Sequence, residues 1–261
     1  MSLIRPPTAS GRPAPLRMKR PGERRSISRS ATRALDVLEH FGLVRRPVRA
    51  NEITTVLGLH PSTTNQLLKT MVESAHLVFD SRSKTYLPSP RLAGFCGWIV
   101  TSFGSGDSLS HLVRDAQSAV GDVVTLTTPN DLLMQILDLA GEGPEREAAE
   151  RGLSISVFGS VIGSAYLSIL ERHDIQLLAA RARIPMAQVP KILDSAARIR
   201  AEGFADGPTP DGSIWSIAIP LPARKFPVPL VLGYAGASKH VQPRRETIYS
   251  HMRDAMARYI S

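Results

Sequence analysis

A chain of 261 residues with 43% hydrophobic content can bury one large core or two smaller ones, which excludes wholesale disorder. Its net charge of +9 is confined to one end: residues 1–90 carry 15 Lys+Arg against 6 Asp+Glu, while residues 91–261 carry 17 of each, the footprint of a polyanionic partner. No apolar run approaches the roughly 20 residues that span a bilayer, and the single cysteine, Cys96, excludes an intrachain disulfide and a multi-cysteine zinc site.

Residues 1–26 are rich in Pro, Arg and Ser and too poor in apolar side chains to offset ordering entropy, so a flexible basic tail is expected there. Two readings stand for it: a solubilising extension, or an arm that contacts phosphates. Residues 27–90 form the next unit. From Ser28 the helical spacing puts Ala31, Ala34, Leu35, Leu38 and Phe41 on one face, with Gly42 as the stop. A second helix, Ala50 to Leu57, buries Ile53, Val56 and Leu57 and halts at Gly58. Pro61 opens a third, which buries Leu67, Leu68, Met71 and Val72 and shows Ser62, Thr63, Asn65, Gln66 and Lys69 on its other side. Two short strands, Leu77 to Asp80 and Thr85 to Leu87, flank a turn bearing Arg82 and Lys84. Three helices, a Gly-centred turn and a basic hairpin specify a winged helix-turn-helix, with duplex DNA as the partner. An anionic membrane is the rival polyanion, but no basic amphipathic helix with exposed aromatics stands in this stretch.

Residues 91–106 read as a linker helix ending in Gly104-Ser-Gly-Asp107, with Leu92, Phe95, Trp98 and Ile99 at helical spacing, more apolar surface than a lone linker should expose. Cys96, on the same stretch, is expected to be a buried small hydrophobe. Residues 107–261 alternate helices, near 108–120, 161–171, 175–182, 189–201 and 244–260, with strand-length apolar runs at 122–127, 132–140, 153–158, 213–221 and 230–237. Hairpin-like neighbours at both ends of this region predict an antiparallel sheet covered by helices, so the fold class is α+β.

These pieces resemble the IclR family of bacterial transcription regulators. The resemblance is carried by the opening helix phrase Ser30-Ala-Thr-Arg-Ala-Leu-Asp-Val-Leu38, by the helix-turn-helix phrase Leu57-Gly-Leu-His-Pro-Ser-Thr-Thr-Asn-Gln-Leu-Leu68 and, more faintly, by Gly152 to Leu170, Gly203-Phe-Ala205 and Ser216-Ile-Ala-Ile-Pro220. It implies a GAF-like effector-binding domain after the winged helix, and a homodimer or homotetramer on a palindromic operator. Departures stand beside the matches. Gln66 replaces an Arg, which shifts the natural base partner from guanine to adenine. Thr64 replaces an aliphatic residue, and His76 replaces the Gly that ends the third helix. Where relatives hold their effector, Val161-Ile162 replaces a Gly-Ala step, and Gly233 and Ala235 replace two serines. The candidate effector-binding residues are Ser160, Val161, Ile162, Asp211, Ile214, Trp215, Ser216 and Tyr234. Trp215 and Tyr234 read equally as core or pocket wall, and Asp206 and Asp211 as ligand-closing acids or turn residues. The site has lost room and polarity together, so either an apolar or weakly polar ligand or a filled core is expected.

Catalytic signatures fail on inspection. Gly159-Ser-Val-Ile-Gly163 puts its serine out of place for a nucleophile elbow, and Gly104-Ser-Gly106 lacks the third glycine of a dinucleotide fingerprint. The seven histidines are scattered, without metal-ligand spacing, and most are expected at the surface. Asp174 reads as a helix N-cap. The expectation is a cytoplasmic regulator that is not an enzyme, uses no cofactor or metal and does not bind membranes.

Overall fold

The structure is a computed structural model and describes residues 28–103, 108–142, 155–209 and 211–260, apart from the side chains of residues 95, 100 and 101. The basic tail and the Gly104–Asp107 joint therefore lie outside the described residues, as does the side chain of Phe95. The chain divides into two compact units, residues 28–97 and 98–260.

In the first unit, Ser28 Oγ accepts the Ala31 N–H and opens α1 (Arg29–Val44). The helix runs past Gly42 and stops at Arg45, whose φ of +50 closes it with an N–H bond to the Phe41 carbonyl. Val37, His40 and Phe41 are its buried residues, whereas Leu35, expected inside, is 53% exposed. α2 (Ala50–Leu57) ends at left-handed Gly58, with Leu59 N–H reaching back to the Thr54 carbonyl. Ile53 carries its burial, and Val56 is exposed. His40 is buried and ties the two helices: its Nε2 lies 3.2 Å from Glu52, whose carboxylate also takes both guanidinium nitrogens of Arg46. The Arg46 hydrogen bonds, with a smaller contribution from His40, hold the Glu52 carboxyl below its ordinary range. This tie is therefore present above that range and is lost as pH falls through the lowered value.

α3 (Pro61–Glu73) buries Leu68 and Met71 beside Val37, Phe41, Ile53 and Leu77, so one small core holds all three helices and the first wing strand. The helix ends on Ala75, not on the expected His76. Ala75 has φ +58, and His76 N–H bonds the Met71 carbonyl at 2.8 Å. A side chain pays steric strain in that conformation, so Ala75→Gly is expected to stabilise the unit by about 1 kcal/mol in thermal unfolding. A loss of stability would contradict the assignment. β1 (Leu77–Asp80) and β2 (Thr85–Pro88) pair antiparallel, and Val48 adds a third rung by exchanging both backbone bonds with Tyr86.

α4 (Arg91–Phe103) crosses the boundary between the units. Cys96 on it is exposed, contrary to expectation; Ala93, Gly94, Gly97, Trp98 and Ile99 are exposed as well.

The second unit is a six-stranded antiparallel sheet in the order β5-β4-β3-β8-β7-β6. Its strands are β3 (Val123–Asn130), β4 (Leu133–Ala140), β5 (Ile155–Ser156), β6 (Ala205–Pro208), β7 (Ile214–Pro220) and β8 (Val231–Ala237). β6 contains Asp206, which the sequence reads as a ligand-closing acid or a turn residue. One face packs α5 (Ser108–Val120), the short α9 (Ser238–Val241) and the C-terminal α10 (Arg245–Tyr259), burying Leu112, Ile217, Leu232, Ile248 and Met252. The other face packs α6 (Val161–Ser168), α7 (Arg172–Arg181) and α8 (Val189–Glu202) through Ala165, Ile175, Ala196, Ala218 and Val231. Glu171 is the N-cap of α7, and Asp174 sits inside its first turn, where its charge favours the helix dipole.

Candidate functional site

α3 presents one polar stripe to solvent. Ser62, Asn65, Gln66 and Lys69 stand three to four residues apart and are exposed, with Thr63 half-buried beside them. The side groups of Asn65 and Gln66 bind nothing among the described residues, so their amides keep free donors and acceptors. Ser62 Oγ lies 2.8 Å from Nδ1 of His60, the N-cap, and Lys69 Nζ lies 3.7 Å from Glu73. Thr64 is fully buried, and its Oγ1 donates to the His60 carbonyl at 3.4 Å. The departure from an aliphatic residue is thus absorbed inside the helix, without a stranded hydroxyl.

The wing tip is ordered by its acid. Asp80 accepts the Arg82 backbone N–H at 2.9 Å and the Ser83 hydroxyl at 2.7 Å, the Ser83 bond being the larger cause that holds this carboxyl below its ordinary range. Lys84 turns the chain with φ +56. Arg82 and Lys84 are exposed and have no ion-pair partner among the described residues. The sequence reading passed over Arg49, the N-cap of α2, which shares a recess of about 400 Å³ with Asn51, Thr55 and Thr85, the first residue of β2. The signal was present in the run Arg45-Arg46-Pro-Val-Arg49. Arg46 lines the same recess but is held by Glu52. The first unit therefore carries an exposed stripe of hydrogen-bond donors and acceptors on α3 and exposed cations on its wing.

The residues expected around an effector are not gathered in one place, because strand alternation separates them. Along β7, Ile217 belongs to the core under α5 and α10 while Ala218 belongs to the core under α6 and α8. Trp215 therefore faces the first layer, with Ile214 and Ser216 facing the second. Tyr234 on β8 joins Trp215 and donates to Asp122 Oδ2 at 2.5 Å. The Trp215 indole N–H is enclosed without an acceptor among the described residues. Under α6, Ile162 lies directly on Gly233, where an ideal Cβ would stand 2.9 Å from Ile162 Cδ1, and Val161 Cγ2 reaches Gly207. Ile162 thus occupies the space that a side chain at position 233 would need.

The polar members of that group are committed locally. Ser160 is the N-cap of α6, its Oγ accepting the Gly163 N–H at 2.9 Å and donating to the Ser156 carbonyl. Asp211 accepts from the Thr209 hydroxyl at 2.5 Å and the Ser213 hydroxyl at 2.8 Å, which lower its carboxyl to about 2. It does turn chemistry before β7. Among the described residues no group of three His, Cys, Asp or Glu could hold a metal ion, and no helix is long and apolar enough to cross a membrane.

The three-helix unit with its wing has the winged helix-turn-helix architecture, and comparison narrows it. Residues 30–80 match the sequence model of the IclR helix-turn-helix domain. The chain resembles the crystal structure of an IclR-family transcriptional regulator from Brucella abortus at 20% identity, over 90% of this chain and 92% of that one, with a TM-score of 0.50. It resembles the IclR protein of Thermotoga maritima at 13% identity, over 88% and 98%, with a TM-score of 0.51. The effector domain of an IclR regulator from Acinetobacter sp. ADP1 matches at 15% identity, over 59% of this chain and 94% of that one, with a TM-score of 0.50. At these identities the structural likeness is one of fold. Among proteins of curated function none matches. Residues 30–80 thus form an IclR-type helix-turn-helix domain, and the chain shares its fold with structures of IclR-family regulators.

Proposed function

We propose that the protein reads a palindromic DNA operator as a homodimer or dimer of dimers, acting in the cytoplasm, and that its second unit tunes DNA affinity in response to a small molecule. The working division is a tail of residues 1–26, a reading head of 27–90, a linker helix of 91–106 and a sensing and assembly unit of 107–261. The observation that carries the reading is the unpartnered Asn65–Gln66 stripe on an IclR helix-turn-helix, with Arg82 and Lys84 beside it on the wing. One such head spans only a few base pairs, so specificity calls for paired half-sites. α4 offers the contact: Trp98 is 63% and Ile99 42% exposed, apolar area that a second copy of the helix would cover.

Selection from a random duplex pool with the full chain tests this. It should return an inverted repeat whose half-sites lie one helical turn, or a multiple of it, apart. A single unrepeated half-site would overturn the dimeric reading, and no enriched sequence would overturn DNA recognition itself.

For the second unit, the packing of Ile162 onto Gly233 favours the reading in which the crevice beneath α6 is filled by side chains rather than by ligand. The competing reading, in which the unit serves assembly alone, predicts that no small molecule shifts operator affinity.

A further inference from the structure

If α6 closes the crevice on its inner side, its outer side is where the second unit is open. α6 and α8 diverge there around a cavity of about 590 Å³, a size usual for small-molecule sites. Phe158, Leu167, Ile184 and Ile192 form apolar walls. Gln188, Lys191 and Ser195 bring polar groups to the same space, and none of the three has a partner among the described residues. No carboxylate lines the cavity, and Lys191 is its single charge. The N-terminal turn of α8, whose N-cap Gln188 makes no side-chain cap bond, adds partial positive charge at the same end.

We infer that this cavity between α6 and α8 binds a monocarboxylate with an apolar body. Lys191 and the Gln188 amide hold the carboxylate, and the aromatic and aliphatic walls cover the body. One lysine balances one negative charge. A phosphate ester would bring close to two, and the site has no arginine fork to receive them. The lining residues Ser164 and Leu167 stand on the same two turns of α6 that press Ile162 onto Gly233, so the helix links the cavity to the sheet. The binding site stands on this geometry alone; its role as the signal input rests on the effector-responsive reading above.

Calorimetric titration of the full chain with sodium octanoate, and with octanamide as the uncharged counterpart, tests the site. Octanoate should bind once per chain and about tenfold more tightly than octanamide, as expected for a charge-assisted hydrogen bond. Lys191→Met, at an exposed position that leaves folding intact, should remove that preference. Ser195→Phe should fill the cavity and abolish both titrations. Failure of octanoate to bind at millimolar concentration, or binding unchanged in both variants, would overturn the inference. Operator binding measured on the same samples separates the claims: duplex binding without octanoate binding overturns the site alone, and octanoate binding that leaves operator affinity unmoved overturns the effector role alone.

Discussion

Replacing Gln66 by Ala is expected to weaken binding to the selected operator by about 1 to 3 kcal/mol, roughly 5- to 150-fold, with the loss concentrated at one base pair in each half-site. Gln66 is exposed, lies between Asn65 and Lys69 on the outer stripe of α3, and has no partner among the described residues. Removing its amide therefore costs the fold almost nothing. In the complex the same amide can pair bidentately with adenine, and its loss strands the base's donor and acceptor. Gln66→Arg should move the preference at that pair towards guanine. Affinities for duplexes carrying each base pair at that position provide the check; a uniform loss across all of them would place Gln66 off the base edges.

A second large effect is expected far from DNA. Gly163 lies on α6, where an ideal Cβ would stand 2.6 Å from the Val157 carbonyl carbon and 2.7 Å from its Cα. Both are backbone atoms of the segment that leads into the helix, so no rotamer change can relieve the clash. Gly163→Ala should destabilise the second unit by about 3 kcal/mol or more, in the manner of an overpacked core. Gly159 is the control: it has φ +84 but open space around the added carbon, so Gly159→Ala should cost only about 1 kcal/mol of backbone strain. Denaturant unfolding followed by the fluorescence of Trp98 and Trp215 ranks the two. Equal costs would mean that α6 does not press onto Val157.

The head was legible because its signals are local. Gly58 and Pro61 mark a turn and a helix start whatever surrounds them, and Asn65, Gln66 and Lys69 follow from helical spacing alone. What the sequence hid depends on partners distant in the chain. Val48 becomes a strand rung only by meeting Tyr86, and Ala205–Pro208 pairs with β7 despite its Gly and Pro. Leu35 and Cys96 look like core residues by type, but no element within their own unit covers them. Trp215 and Tyr234 join Val161 and Ile162 as candidates because each lies on a predicted inner strand. The alternation of β7 and β8, readable in the sequence, already separates them. The cavity between α6 and α8 left no motif, because its lining comes from elements whose packing is set by the sheet beneath them.

The central claim is that α3 and the wing bind duplex DNA through base edges and phosphates together. Its most direct test is the dependence of affinity for the selected operator on salt concentration, measured for the full chain and for the variant carrying Arg82→Ala and Lys84→Ala. Each cation on a phosphate contributes about 0.9 to the slope of log K against log salt. The variant should therefore bind every duplex more weakly and show a slope shallower by about 2, while keeping the same order of preference among base pairs. Salt-independent binding by the unmodified chain, or an unchanged slope in the variant, would contradict the account.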